Sequence, residues 1–324
     1  YPNRVDLRDL NFCTIDPASA KDHDDAIYFD EKEKIIYVAI ADVSEYVTSF
    51  SAIDKEAKKR GFSIYLPHKS IPMLPRELSE NICSLKEGRD RLAYVFKIKI
   101  DTKTYGVEKS ELFEAIINSK KGFNYDEVDE FLEDKKKLRY FSANLKKLYA
   151  LTSKIRKKRV EGAFEFEGSD TRLLLDENQN LIDISVEKET PSHKLVEECM
   201  LLANIEASKF FDFGIFRVHE KPDEKRLEEL LVSLANIGIA PKISSDVLSV
   251  ISFAQKEADR LGLRNEVDTM IIKSLKQARY DAQNMGHFGL GFESYTHFTS
   301  PIRRYSDLIL HRLLKAITAK DEKA

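Results

Sequence analysis

The sequence predicts an α+β fold. Strand-like patterns dominate up to about residue 190 and helical periodicity takes over after it. No Gly/Ser linker, repeat or low-complexity segment divides the two regions, so residues 1–324 read as one domain. KIIYVAIADV (34–43) is a continuous apolar run of the buried-strand type. AYVFKIKI (93–100) alternates, and VEKSELFEAIINS continues as its neighbour across the turn DTKTYG. RLLLD and LIDISVE flank the turn residues ENQN and predict a hairpin. Helices are predicted for FSANLKKLYALTSKIRKKR, for PSHKLVEECMLLANIEASKFF with Pro191 and Ser192 at its start, and for EKRLEELLVSLANIG closing on Gly238. Two more follow near 247–259 and 265–281, and a last one begins at Pro301.

The chain carries 42% hydrophobic and 33% charged residues, a globular composition. It contains no apolar run of membrane-spanning length and opens on no signal peptide. No membrane partner is expected from that pattern, and Cys13, Cys83 and Cys199, odd in number and without a CxxC pair, point to a reducing, cytoplasmic setting. Tyr at position 1 points to a fragment or a processed form. The net charge of −3 and pI near 6.3 argue against a nonspecific polyanion binder. The basic runs SKIRKKR and KEAKKR and the acidic run DEVDEFLED read as solvated helix faces.

TIDPASAKDHDDA (14–26) gathers Asp16, Asp22, Asp24 and Asp25 within ten residues. In water two carboxylates about 4 Å apart repel by about 1 kcal/mol, and several such pairs in a partly buried cleft by several times that. Lys21 offsets part of it. Mg²⁺ or Mn²⁺ would supply the rest, since carboxylate oxygens are their preferred ligands. The spacing is not that of an EF-hand loop, and four carboxylates suit two adjacent ions better than one. From spacing alone, a solvated Asx-rich turn fits equally well.

HFTSPIRRYSDLILHR (297–312) is the second candidate site. Ser300 is a suitable N-cap with Pro301 at N1, which places Arg303 in the first helical turn, where the macrodipole disfavours a cation. Arg303 and Arg304 there make sense with an anion bound; an intrahelical Arg303–Asp307 pair is the alternative. IYLPHKSIPMLPREL (64–78) holds three prolines and is expected to be irregular, presenting Tyr65 at a groove. Tyr125, Phe164 and Phe166 lie beside glycines and suit either base stacking or the core. In the predominantly apolar helix around KLVEECMLL, one of Glu197 and Glu198 must sit near the core edge, which calls for a partner.

Taken in order, RVDLRDL, TIDPASAKDHDDA, VAIADVSEYV, SIYLPHKSIPMLPREL, ENICSL, KLVEECMLLANI and HFGLGFESYTHFTSPIRRYSDLILHR resemble the catalytic (RNB) domain of the ribonuclease II / ribonuclease R family. The wording is closer to bacterial ribonuclease R, and the resemblance spans essentially the whole chain. It implies an α/β fold, a mixed β-sheet surrounded by helices, with a deep channel for single-stranded RNA. It implies processive 3′-to-5′ hydrolysis to nucleoside 5′-monophosphates with one or two Mg²⁺ ions, Mn²⁺ being the alternative, on single-stranded RNA with a free 3′ end, by a monomer. By motif, Asp16, Asp22, Asp24 and Asp25 resemble the family's catalytic metal-site aspartates, and Arg303 the arginine on the scissile phosphate. Tyr65, Tyr125, Glu197 and Arg304 fall among the RNA-contacting positions. Phe166, or Phe164 if the alignment slips, matches the aromatic that stacks on the last base. The motif asks for no histidine at His23. Full-length relatives carry cold-shock and OB-type RNA-binding domains on both sides, absent from this chain.

Overall fold

The computed structural model describes residues 3–166, 169–176, 178–241 and 246–319. Its strands are β1 Val5–Asp6, β2 Phe12–Asp16, β3 Asp25–Asp30, β4 Ile35–Ala41, β5 Ile64–Leu66, β6 Lys69–Ile71, β7 Asp90–Ile100, β8 Val107–Asn124, β9 Ser169–Leu175, β10 Leu181–Lys188, β11 Phe213–Val218 and β12 Arg279–Gln283. Its helices are α1 Ala52–Arg60, α2 Tyr125–Leu132, α3 Ser142–Val160, α4 Pro191–Ser208, α5 Glu224–Asn236, α6 Val247–Leu261, α7 Arg264–Ser274 and α8 Tyr305–Ala319. Among the described residues no helix is long and apolar enough to cross a membrane, and all three cysteines are buried and free.

The described residues separate into two compact units: residues 1–155, 170–210 and 297–324, and residues 156–169 and 211–296. The first crossing between the units carries no linker composition because it falls inside the continuous helix α3.

In the first unit the sheet order is β1-β8-β2-β3-β4-β7, and β7 also pairs with β8. The long strand β8 therefore closes the ring. Its first part runs antiparallel to β7, from Ile100↔Val107 to Asp90↔Asn118. Its end runs parallel to β2, through Asp16↔Asn124. The sheet is mixed, as expected, and closure leaves these strands few open edges. β4 is buried along nearly all its length, which is why its sequence reads as an unbroken apolar run. Ala26, Ala39, Ala41, Ala93 and Ala115 are fully buried in one core cluster with Val43, Val47, Ala57, Met73, Leu85, Ile302 and Leu308.

In the second unit β11 pairs antiparallel with β12, and α5, α6 and α7 share a core of Leu230, Leu234, Ile251, Ala258, Val267 and Ile271. Gly291, at φ +70, stands where a Cβ would lie 2.5 Å from the Gly162 carbonyl oxygen, so no other residue fits.

Three sequence expectations change. The predicted helix over 265–281 ends at Ser274, because the backbone of Arg279–Gln283 is committed to its ladder with β11. The three-proline stretch is irregular only in part. Pro67 sits in the turn and Pro72 beyond the last strand residue, so β5 and β6 pair between them. The last helix starts at Tyr305, not Pro301. Ser63 N–H donates to the Arg303 carbonyl (2.9 Å) and Tyr305 N–H to the Gly61 carbonyl (2.8 Å), so this backbone pairs with residues 61–63 instead of extending the helical ladder.

The α8 residue His311 is fully buried against Tyr94 and Phe298, and its Nε2–H donates to the Phe298 carbonyl (2.8 Å). Burial pushes its pKa from 6.5 down to about 4. The unfolded chain thus takes up a proton before the folded one does. Stability is full above about 6.5 and falls as pH drops through 4, by about 3 kcal/mol from this group alone. His311→Phe is expected to flatten the acid limb of a stability-versus-pH curve measured by urea denaturation.

Candidate metal and nucleic-acid site

β2 and β3 are antiparallel neighbours, so the loop between them returns Asp16, the last residue of β2, beside Asp25, the first of β3. The loop is pinned from outside. Ser84, fully buried, accepts from the His23 N–H (3.0 Å) and donates to the Lys21 carbonyl (2.8 Å), and Leu85 N–H donates to the His23 carbonyl (3.0 Å). This is the work of the ENICSL segment. At the loop's end the Ala41 N–H donates to the Asp24 carbonyl (2.8 Å).

Asp24 is 4% exposed. Its Oδ1 accepts from the Ile302 N–H (2.8 Å), while its buried Oδ2 has no hydrogen-bond donor. Arg303 Nε stands 3.4 Å from that oxygen, and Arg303 Nη2 donates to Ser300 Oγ (2.9 Å). Arg303 is exposed and sits in a turn, so the macrodipole argument does not apply to it. Its place is set by the pairing of its backbone with Ser63 and by Asp24.

Desolvation raises the Asp24 carboxyl well above its usual range; Arg303 opposes this, while Asp25 and Asp22 add to it. Desolvation, then Asp16, pushes Asp25 up to about 8, again opposed by Arg303. Arg303 thus opposes the rise at both Asp24 and Asp25, and stands within ion-pair distance of Asp24. Asp22 accepts from the Tyr65 hydroxyl, and Asp16 Oδ2 lies 2.7 Å from His23 Nδ1.

An orphaned buried oxygen among oxygen-only donors fits a hard cation. The four aspartates are nonetheless spread out. Among the described residues the trio whose ligand atoms lie within 4.8 Å of one another is Asp42, Glu45 and Glu114. That trio is already answered by Arg4 (2.6, 2.9 and 3.0 Å) and Lys315 (2.8, 3.6 and 2.6 Å), so it needs no ion.

Tyr65 on β5 is 53% exposed and lines an open groove of about 1010 Å³ with Lys21, Asp22, His68 and Arg76. Tyr125 opens α2, whose first turn is fixed by an Asn124–Glu127 capping box. Asp16 and Asp25 add to the burial that raises its phenol. Glu197 is half-buried on α4, and Glu198 is the fully buried one of the pair. Arg304 is engaged by the fully buried Asp307 (3.1 and 2.8 Å), which also accepts from the Ser300 N–H (2.9 Å). The ion pair foreseen for Arg303 is therefore made by Arg304. Of the sequence-predicted residues, Phe166 and its alternative Phe164 belong to the second unit. The Phe166 ring meets Phe164 at 5.3 Å, and Phe164 is core there.

Sequence analysis missed one residue and discounted another. His193 stacks on Tyr125 (centroids 3.8 Å, planes 16° apart) and is anchored by Thr190 Oγ1 (2.6 Å). Its four-residue spacing from Glu197 was the available signal. His23, for which the family motif asks no histidine, is bonded to Asp16.

The sequence model of the family described as RNB domain matches residues 4–320. The chain belongs to the RNB domain family. This RNB domain is 38% identical over 324 residues to ribonuclease R of Helicobacter pylori, covering 98% of the chain and 50% of the relative. It is 41% identical to that of Thermotoga maritima, covering 96% and 46%. A Mycoplasma genitalium RNase R solved with ribose-methylated single-stranded RNA matches with a TM-score of 0.92 and 34% identity, covering 98% of this chain and 51% of that one. The RNB domain thus spans about half the length of the curated relatives it matches.

Ser84→Ala removes one acceptor and one donor from the pinned loop. It is expected to cost about 1–3 kcal/mol, read as a lower urea midpoint at unchanged slope.

Proposed function

We propose that this RNB domain is a processive 3′-to-5′ exoribonuclease that hydrolyses single-stranded RNA to nucleoside 5′-monophosphates with Mg²⁺, or Mn²⁺, at Asp16, Asp22, Asp24 and Asp25. The observation that carries the reading is the Asp24–Arg303 pair: a buried carboxylate oxygen without a donor, facing an exposed guanidinium. When bound, the ion would polarise the phosphate and lower the pKa of a water molecule. Everything else falls to the chain's own side chains. Asp16 and Asp25 would hold one ion from adjacent strand ends, and Asp24, with Asp22, would serve a second. Arg303 keeps N–H groups beyond those facing Ser300 and Asp24, and these neutralise charge developing on the phosphate oxygens. Tyr65, at the groove beside Asp22, clamps the terminal nucleotide, and Tyr125, backed by His193, steadies the strand; both act by positioning. Glu197 lies near the 3′-terminal nucleotide. Arg304 acts on RNA indirectly, by fixing the Arg303 turn through Asp307. The 2′-hydroxyl separates RNA from DNA. A monomer in the cytoplasm is the working form, in keeping with three free thiols.

Asp24→Asn keeps an acceptor for the Ile302 N–H but lowers the site's negative charge. On 5′-labelled single-stranded RNA with Mg²⁺, cleavage is expected to collapse while RNA binding persists. Unchanged cleavage would refute the metal assignment, and a wild type that binds RNA without shortening it would make the chain a binding module. Arg303→Ala is expected to slow hydrolysis by about 10²–10³-fold with a much smaller change in the RNA dissociation constant. Equal losses in both would reassign Arg303 to substrate binding.

A further inference from the structure

We propose that His23 is a positioning residue for Asp16, a donor that turns the Asp16 carboxylate to present its second oxygen to a divalent cation. His23 Nδ1 lies 2.7 Å from Asp16 Oδ2, and the two side chains are 21% and 18% exposed, enough shelter to keep water from replacing the bond. A carboxylate oxygen only accepts, so the proton of this bond sits on Nδ1. The ring cannot drift away, because its own backbone is held on both sides: His23 N–H to Ser84 Oγ (3.0 Å), and its carbonyl from Leu85 N–H (3.0 Å). Asp16 is equally fixed, as the last ladder residue of β2 opposite Asn124. One carboxylate oxygen is therefore bonded to a fixed donor. The other oxygen makes no bond to His23, and Asp16 ends β2 beside Asp25 at the start of the antiparallel β3. A donor that orients a metal-binding carboxylate in this way changes metal affinity by about 10–100-fold. Ser84 then acts on the cation through two bonds, by way of His23, and the segment around it becomes part of the metal site.

The inference rests on the reading of Asp16 as a metal ligand, and the experiment separates the two. Mn²⁺ is titrated into the RNA-free chain at one fixed pH, and free Mn²⁺ is read by its electron paramagnetic resonance signal. Asp16→Asn tests the ligand: an unchanged dissociation constant would refute the metal reading itself. His23→Phe keeps the ring and deletes the donor, and is expected to raise the Mn²⁺ dissociation constant about ten-fold or more. His23→Asn places an amide N–H near the position of Nδ1 and is expected to stay within about three-fold of wild type. An affinity for His23→Phe equal to wild type would overturn the inference, and so would a His23→Asn variant as weak as His23→Phe. If His23→Phe does not fold, His23→Gln replaces it: its amide reaches toward the other ring nitrogen's position, so wild-type affinity there would also refute the role.

Discussion

Mutual repulsion among four carboxylates is the constraint around which the first unit is organised. Asp25 is disfavoured as an anion by burial and by Asp16, and Asp24 by burial, Asp25 and Asp22. Within the loop Lys21 and His23 are the groups that temper the charge, and His23 bonds Asp16 rather than the buried pair. The counter-charge comes from Arg303, 278 positions downstream of Asp25, and the remaining deficit is what makes the site a place for a hard cation. Such a cluster holds its shape only if the surrounding scaffold over-determines it.

The scaffold does so in two ways. The sheet closes through β8, which makes Asp16 and Asp25 facing ends of adjacent strands in place of two points on a flexible turn. The segment before α8 is then locked from three directions. Its backbone pairs with residues 61–63, its Ile302 N–H is spent on Asp24, and Asp307 ties Ser300 to Arg304 beneath it. Asp54 extends the lock: it accepts from the Tyr305 hydroxyl (3.0 Å), Arg312 (2.8 Å) and the Phe50 N–H (2.8 Å), tying α1 to α8. A buried carboxylate with several donors is costly to leave half-paired, so each of these links is all-or-none.

The same logic explains why the acidic trio with the tightest geometry is not the candidate metal site. Asp42, Glu45 and Glu114 already have Arg4 and Lys315 as counter-ions. Among the described residues, the Asp24 Oδ2 is the buried carboxylate oxygen that lacks a hydrogen-bond donor. Proximity of carboxylates identifies a cluster; an unmet charge identifies a site.

The amino-acid sequence by itself determined the mixed α+β character, the apolar β4, the β7–β8 and β9–β10 pairs and most helices, because these rest on periodicity and turn chemistry within a few residues. It also named the four aspartates and Arg303, since their density and their ordered motifs are local signals. Tertiary structure alone decided the rest. Closure of the sheet through β8 depends on partners about a hundred residues apart. The start of α8 was moved to Tyr305 by backbone pairing with residues 61–63, which no local capping signal reveals. The division of labour between Arg303 and Arg304 followed from that shift of one turn. So did the roles of His193, Ser84 and His23: each acts through a hydrogen bond or ring contact to a side chain placed by the fold, and such contacts leave no periodic trace in the chain.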